Sequence, residues 1–162
     1  MSSLQRLRLD HGSAVLDFER ANRGYFAAFI SDRGDDFFEQ FSERHRAMLD
    51  EQEAGRGAYY VLVDATGAVV GRFNLYNIVG ATADVGYRIA QRVAGRGVAS
   101  SGVRDLCRIA GEDHGLRVLN AATSDANIAS QHVLTKAGFV ITGAAEVEGV
   151  SGRWYRLVLT PP

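Results

Sequence analysis

At 162 residues, with 46% hydrophobic and 23% charged side chains, the chain has the size and composition of one globular domain, expected to span 1–162 and to bury a core unaided. Its 18 basic and 19 acidic residues leave a net charge of −1 with no basic block, which removes the electrostatic case for nucleic acid or an anionic membrane as partner. The single cysteine, Cys107, excludes an internal disulfide and a multi-cysteine metal site; with no apolar leader and no run of membrane-spanning length, the chain reads as cytoplasmic.

Leu4 to Leu9 reads as a short edge strand. A helix then carries Val15, Phe18, Asn22, Phe26 and Phe29 roughly along one side until Gly34. A second helix is expected from Asp35, with acids in its first turn and Phe38, Phe41, His45, Met48 and Leu49 at helical spacing, stopping at Gly55 and Gly57. His45 has no partner at metal spacing and reads as a core or rim histidine, so no metal site is expected. Tyr59 to Val63, the turn Asp64-Ala65-Thr66-Gly67 and Val69 to Tyr76 form a hairpin, which Thr82 to Ile89 extends into a meander.

After that strand comes Gln91-Arg92-Val93-Ala94-Gly95-Arg96-Gly97-Val98-Ala99-Ser100, and then a helical stripe of Val103, Leu106, Cys107 and Ala110. By itself a Gly-x-Gly pair reads as a tight turn that needs positive φ. Between a strand and a helix it has a second reading. Gly95 and Gly97 leave the backbone bare where unpaired N–H groups and the helix dipole favour an anion, and phosphate is the natural one. A dinucleotide fingerprint wants a third glycine where Ser100 stands, and a P-loop wants Gly-Lys-Ser/Thr; neither is present. Cys107 falls on the apolar stripe and reads as a buried thiol, which disfavours a covalent acyl-enzyme.

That helix ends at His114-Gly115, and Val118 to Thr123 makes another buried strand. Ser124-Asp125 is expected to cap a further helix with Ala126, Ala129, Val133 and Ala137 on its packed face and Gly138 at its end. Phe139 to Thr142 and Trp154 to Leu159 close the chain. Glu146 and Glu148 fall between them, in a solvated loop or one that attracts a cationic amine. Gly149-Val150-Ser151-Gly152 lacks the Gly-x-Ser-x-Gly spacing of a hydrolase nucleophile. The sum is an α+β fold, a mixed, mostly antiparallel sheet of about six to seven strands flanked by about four helices.

Arg92-x-x-Gly95-x-Gly97, Asn127-x-x-Ser130 and Gly138-Phe139, with Asn22-Arg23 and Val85-Gly86-Tyr87 earlier, resemble the GCN5-related N-acetyltransferases (GNAT), most closely the RimJ/RimL type, over nearly the whole chain. The resemblance implies acetyl-CoA as cosubstrate, with its pyrophosphate cradled by Arg92, Val93, Ala94, Gly95, Arg96, Gly97, Val98 and Ala99. Ile89 would pair its backbone with the pantetheine arm, and Asn127 and Ser130 would lie near pantetheine and sulfur. It further implies a primary amine as acceptor, foremost a protein N-terminal α-amine and alternatively a small-molecule amine, and it makes a homodimer plausible. A domain that only binds acyl-CoA is the alternative outside catalysis. Many family members carry a tyrosine, proposed to protonate the departing sulfur, where this chain has Leu134.

Acetyl transfer to an amine needs a neutral nucleophile, stabilisation of a developing oxyanion and an outlet for the thiolate. An α-amine with a pKa near 7.7 to 8.0 is roughly a tenth neutral at pH 7, whereas a lysine costs about 4 kcal/mol more to deprotonate. Direct attack in a ternary complex is therefore expected, with Ser130 hydrogen-bonding the thiol and Asp84, or a water it holds, taking the proton. A solvent-facing strand residue is the plainer reading of Asp84.

Overall fold

The structure is a computed structural model and describes residues 3–160. Apolar strand residues punctuated by glycine and Asx turns build β2 (Ala58–Val63), β3 (Val69–Val79) and β4 (Thr82–Ile89) into the antiparallel meander the sequence implies, and β1 (Leu4–Arg6), shorter than the expected edge strand, pairs antiparallel with β2. β5 (Val118–Ser124), β6 (Val140–Val147) and β7 (Val150–Val158) complete a seven-stranded sheet in the order β1-β2-β3-β4-β5-β7-β6, in which only β4 and β5 run parallel. The last hairpin is longer than its sequence suggested. Glu146 belongs to β6, and only Glu148 and Gly149 form the turn.

Among the described residues six α-helices flank the sheet, because each of the two expected near the start is two. The first is divided into α1 (Gly12–Ala21) and α2 (Arg23–Ala27) at Asn22, whose backbone leaves helical geometry at φ −109°, ψ 8°. Its buried amide donates to the Phe18 carbonyl at 2.9 Å while its Oδ1 accepts from the Gln91 N–H at 2.9 Å. Phe29 lies beyond the end of α2 and is exposed, whereas Val15, Phe18 and Phe26 are buried as expected. The second is divided into α3 (Asp35–Glu39) and α4 (Phe41–Glu53) at Gln40, and Phe37 rather than its neighbour Phe38 is the buried ring of α3.

α5 (Val98–His114) runs between left-handed glycines, Gly97 at φ 76° and Gly115 at φ 63°. It lies flush on β3 because Gly102 has no side chain: a Cβ there would run into the Phe73 ring. α6 (Ile128–Lys136) is capped by Asn127, whose side chain accepts from the Ser130 N–H at 3.1 Å, and not by Ser124-Asp125. Its anchor is Leu134, 2% exposed; of the expected packed face, Val133 and Ala137 pack against the core as expected, whereas Ala126 and Ala129 are exposed.

One charged cluster lies inside. Glu19 on α1 is 1% exposed and binds Arg72 of β3 at 2.8 Å, Arg33 of the α2–α3 loop at 3.0 Å and Arg88 of β4 at 3.2 Å. Burial acts to raise its carboxyl pKa, but Arg72, Arg33 and Arg88 override that and hold it below the ordinary range. This cluster joins α1, the loop and the sheet beside the cleft described next.

Candidate active site

β4 and β5 pair only over Thr82↔Val118, Ala83↔Leu119 and Asp84↔Asn120. Beyond Asp84, β4 stays bonded to β3 as far as Ile89, and beyond Asn120, β5 stays bonded to β7 as far as Ser124, but the two part from each other. The edge of β4 that would have met β5 is therefore left with free backbone groups facing a cleft.

Two cavities open along the parting, of about 390 Å³ and about 450 Å³. Tyr87, Asn127 and Ser130 line both and stand at their junction. The smaller runs from Ile89 to Gly95, Gly97, Val98 and Ala99 at the mouth of α5. That helix has neither a side-chain cap nor an acidic residue in its first turn, so its leading N–H groups meet no competing acceptor there and the dipole is not opposed. Gly95, at φ 75°, and Gly97 present bare backbone, with no heavy atom within 4 Å of where a Cβ would stand. This suits a diphosphate. Arg88 is the only charged side chain lining this cavity among the described residues, and burial, reinforced by Arg33, pushes its guanidinium down to about 10.

The structure brings Ile89, Ala94, Gly95, Gly97, Val98, Ala99, Asn127 and Ser130 together along the cleft. Arg92, Val93 and Arg96 belong to the same loop but do not line it. Arg92 donates to Asp64 Oδ2 at 2.8 Å in the β2–β3 turn. Thr66 and Arg92 hydrogen bonds hold that carboxyl well below the usual carboxylate range. Val93 packs toward the core and Arg96 is exposed. Asp84 lines neither cavity, and its Oδ2 accepts from Asn77 Nδ2 at 3.0 Å.

Sequence reasoning missed Tyr87 as a site residue. Its ring stacks on Phe73 at 5.8 Å between centroids, and its hydroxyl lies beside Ser130. Burial raises the phenol pKa, with the neighbouring Ser130 hydroxyl acting against it. The available signal was the alternation Val85, Tyr87, Ile89 along β4, which sets all three on one face of the strand.

The larger cavity lies between Ser31 of the α2–α3 loop, Tyr76 of β3, Thr123 of β5, Leu134 of α6 and Glu148 of the β6–β7 turn. Glu148 is its only charged lining residue among those described.

Cys107 of α5 is buried and lines neither cavity, and burial pushes its thiol up to about 12. Native protein at pH 8 should resist iodoacetamide, and Cys107→Ala should keep acetyl transfer within about threefold of wild type. Fast alkylation of the folded chain, or loss of turnover in the variant, would contradict a purely structural thiol.

Among the described residues, no helix is long and apolar enough to cross a membrane, and no group of three potential metal ligands occurs. The sheet is parted between two parallel strands, and an uncapped helix mouth stands at the end of the parting, where backbone N–H groups can receive an anionic cosubstrate. A model of the acetyltransferase (GNAT) domain matches residues 8–140, and the chain belongs to that family. It is an acetyl-CoA-dependent N-acetyltransferase. The probable N-acetyltransferase YjcK of Bacillus subtilis (strain 168) is 27% identical over 146 residues, covering 86% of this chain and 81% of its own. The fold is also that of the ribosomal-protein-S5-alanine acetyltransferase of Vibrio fischeri, with a TM-score of 0.89, 20% identity, and coverage of 98% of this chain and 96% of that one. It matches the spermidine N-acetyltransferase of Vibrio cholerae, solved with CoA and spermine, with a TM-score of 0.80, 16% identity, and coverage of 97% and 95%.

Proposed function

We propose that this enzyme acetylates protein N-terminal α-amines by direct attack within a ternary complex, as a transferase of the RimJ/RimL type. The observation that carries the reading is the larger cavity, whose walls are mostly small, apolar or hydroxylic and whose charge is the single carboxylate of Glu148. A polyamine presents several ammonium groups and calls for several carboxylates along its length. One carboxylate suits one ammonium. The absence of a second acid from the lining also fits an acceptor that is partly neutral near pH 7 and needs no strong base.

In this reading the bare loop at Gly95 and Gly97 and the leading N–H groups of α5 hold the diphosphate of acetyl-CoA, and the free edge of β4 near Ile89 receives the pantetheine arm. Acetyl-CoA supplies the activated acyl group. The chain's own part is to align the amine, polarise the carbonyl with β4 backbone N–H groups, and stabilise the departing sulfur with the hydroxyls of Ser130 and Tyr87. These hydroxyls stand where the family tyrosine is replaced by Leu134, which is buried as packing. Asp84, engaged by Asn77 outside both cavities, is assigned no step, and the amine's proton leaves through water.

The test is release of free thiol from acetyl-CoA with a panel of amines at neutral pH. Peptide amides beginning with alanine, serine or methionine should exceed an α-blocked lysine by about two orders of magnitude in kcat/KM, the ratio of their neutral fractions. They should also exceed spermidine. Preferential use of spermidine would refute the assignment, and tight CoA binding without turnover of any amine would make the chain a binding module.

A further inference from the structure

The turn between β6 and β7 contains a residue that its geometry does not favour. Glu148 and Gly149 have φ values of 50° and 83°, the pattern of a two-residue hairpin turn with positive φ at both central positions. Asparagine, aspartate or glycine ordinarily occupy the first of these places, because a longer L side chain is strained there. Only Asn77 and Glu148 are non-glycine residues with positive φ among those described, and asparagine is at home in that region.

The strained residue is also the one whose carboxylate lines the larger cavity. Its Oε2 accepts from the Ser31 N–H at 2.7 Å, which joins the β6–β7 turn to the α2–α3 loop at the rim of that cavity. Oε1 accepts no hydrogen bond among the described residues. The arginines of α2 and of the α2–α3 loop are engaged elsewhere: Arg23 by Asp32 and Asp35, and Arg33 by Glu19. Arg88 is the cation that acts on Glu148 from the cofactor side, and its own hydrogen bond goes to Glu19. One carboxylate oxygen is therefore free at the acceptor's entrance.

We infer that Glu148 is the specificity residue for the acceptor, receiving its ammonium group on Oε1 while Oε2 keeps the α2–α3 loop latched at the cavity rim. The inference rests on the larger cavity being the acceptor's side of the cleft. The strain at Glu148 has a function in this account: it sets a charged side chain at a turn position that a shorter residue would otherwise fill.

Glu148→Gln separates the two roles, because an amide oxygen still accepts from Ser31 while the charge is gone. With tetra-alanine amide as acceptor, KM for the amine should rise about fivefold, as expected of one exposed charge pair, with KM for acetyl-CoA unchanged. The wild-type KM should also climb as salt is raised, and the variant's should not. Glu148→Ala should lose the latch as well and be worse than Glu148→Gln. If Glu148→Gln keeps the wild-type amine KM and salt dependence and only Glu148→Ala is impaired, Glu148 is a latch and the inference is overturned. Should tetra-alanine amide not be turned over, its affinity for the protein–CoA complex is measured by calorimetry in both forms. Weakening by Glu148→Gln would then uphold recognition by Glu148 although the transfer reading had failed, and equal affinity would overturn it.

Discussion

Replacing Glu19 by glutamine should lower the unfolding free energy by about 3 to 5 kcal/mol, the cost of removing one partner from a buried ion pair. Arg72, at 5% side-chain exposure, would keep its charge with no carboxylate to meet it, and Arg33 and Arg88 would lose the group between them. The measurement is a urea unfolding curve at neutral pH. A shift well under 1 kcal/mol would mean that water or relaxation already compensates the arginines. A Glu19→Leu/Arg72→Met pair should recover part of the loss, since it removes the most deeply buried arginine together with the carboxylate and leaves only Arg33 and Arg88, which are more exposed, without their partner.

The same residue sets the acid limb of stability. Its carboxyl pKa lies below the ordinary 4.5 in the folded chain, so the unfolded chain binds the proton more readily over the interval between the two values. Stability from this group is therefore complete above about 4.5 and is lost as pH falls from there through the lower folded value. Glu19→Gln should remove that part of the slope, while wild type and variant keep a constant offset at higher pH.

The parts of the fold that were legible were those encoded locally. The β2–β3 hairpin follows from alternation on either side of Asp64 and Gly67, and α5 follows from its stripe and its two flanking left-handed glycines. The break at Asn22 was not legible, because what accompanies it is a hydrogen bond from Gln91, far along the chain. β6 was under-read because most of its residues are exposed, so the strand has no buried-face alternation to extend beyond Thr142. Leu134 was read as a missing acid, whereas its burial makes it the packing anchor of α6. The smaller cavity was readable because Gly95, Gly97, Val98 and Ala99, which line it, lie close together in sequence. Ser31, Tyr87 and Glu148 come from three separate segments, and only the parting of β4 from β5 gathers them. Arg92 shows the converse: its place in the motif is local, but Asp64 decides where its guanidinium goes.

Substituting Gly95 and Gly97 together by valine should raise the Kd for CoA by about 100-fold or more, read by calorimetry. The estimate comes from the bond count, since losing two charge-assisted N–H bonds at about 1.5 to 3 kcal/mol each exceeds the 2.8 kcal/mol or so that corresponds to a hundredfold. Space is not the obstacle, because neither position has a heavy atom within 4 Å of an added Cβ. The obstacle is the backbone, held at φ 75° and 76°, where an L side chain costs about 1 to 2 kcal/mol per residue. Relieving that strain turns the N–H groups at the mouth of α5 away from a common point. Gly67→Val supplies the control: it sits at φ 87° with the same open space, in the β2–β3 turn and outside both cavities. It should lose about half as much stability, one strained position against two, and bind CoA as wild type does. If the folded double variant also kept wild-type affinity, the diphosphate would have to be held elsewhere, and neither the helix mouth nor its glycines would explain how this cleft takes its cosubstrate.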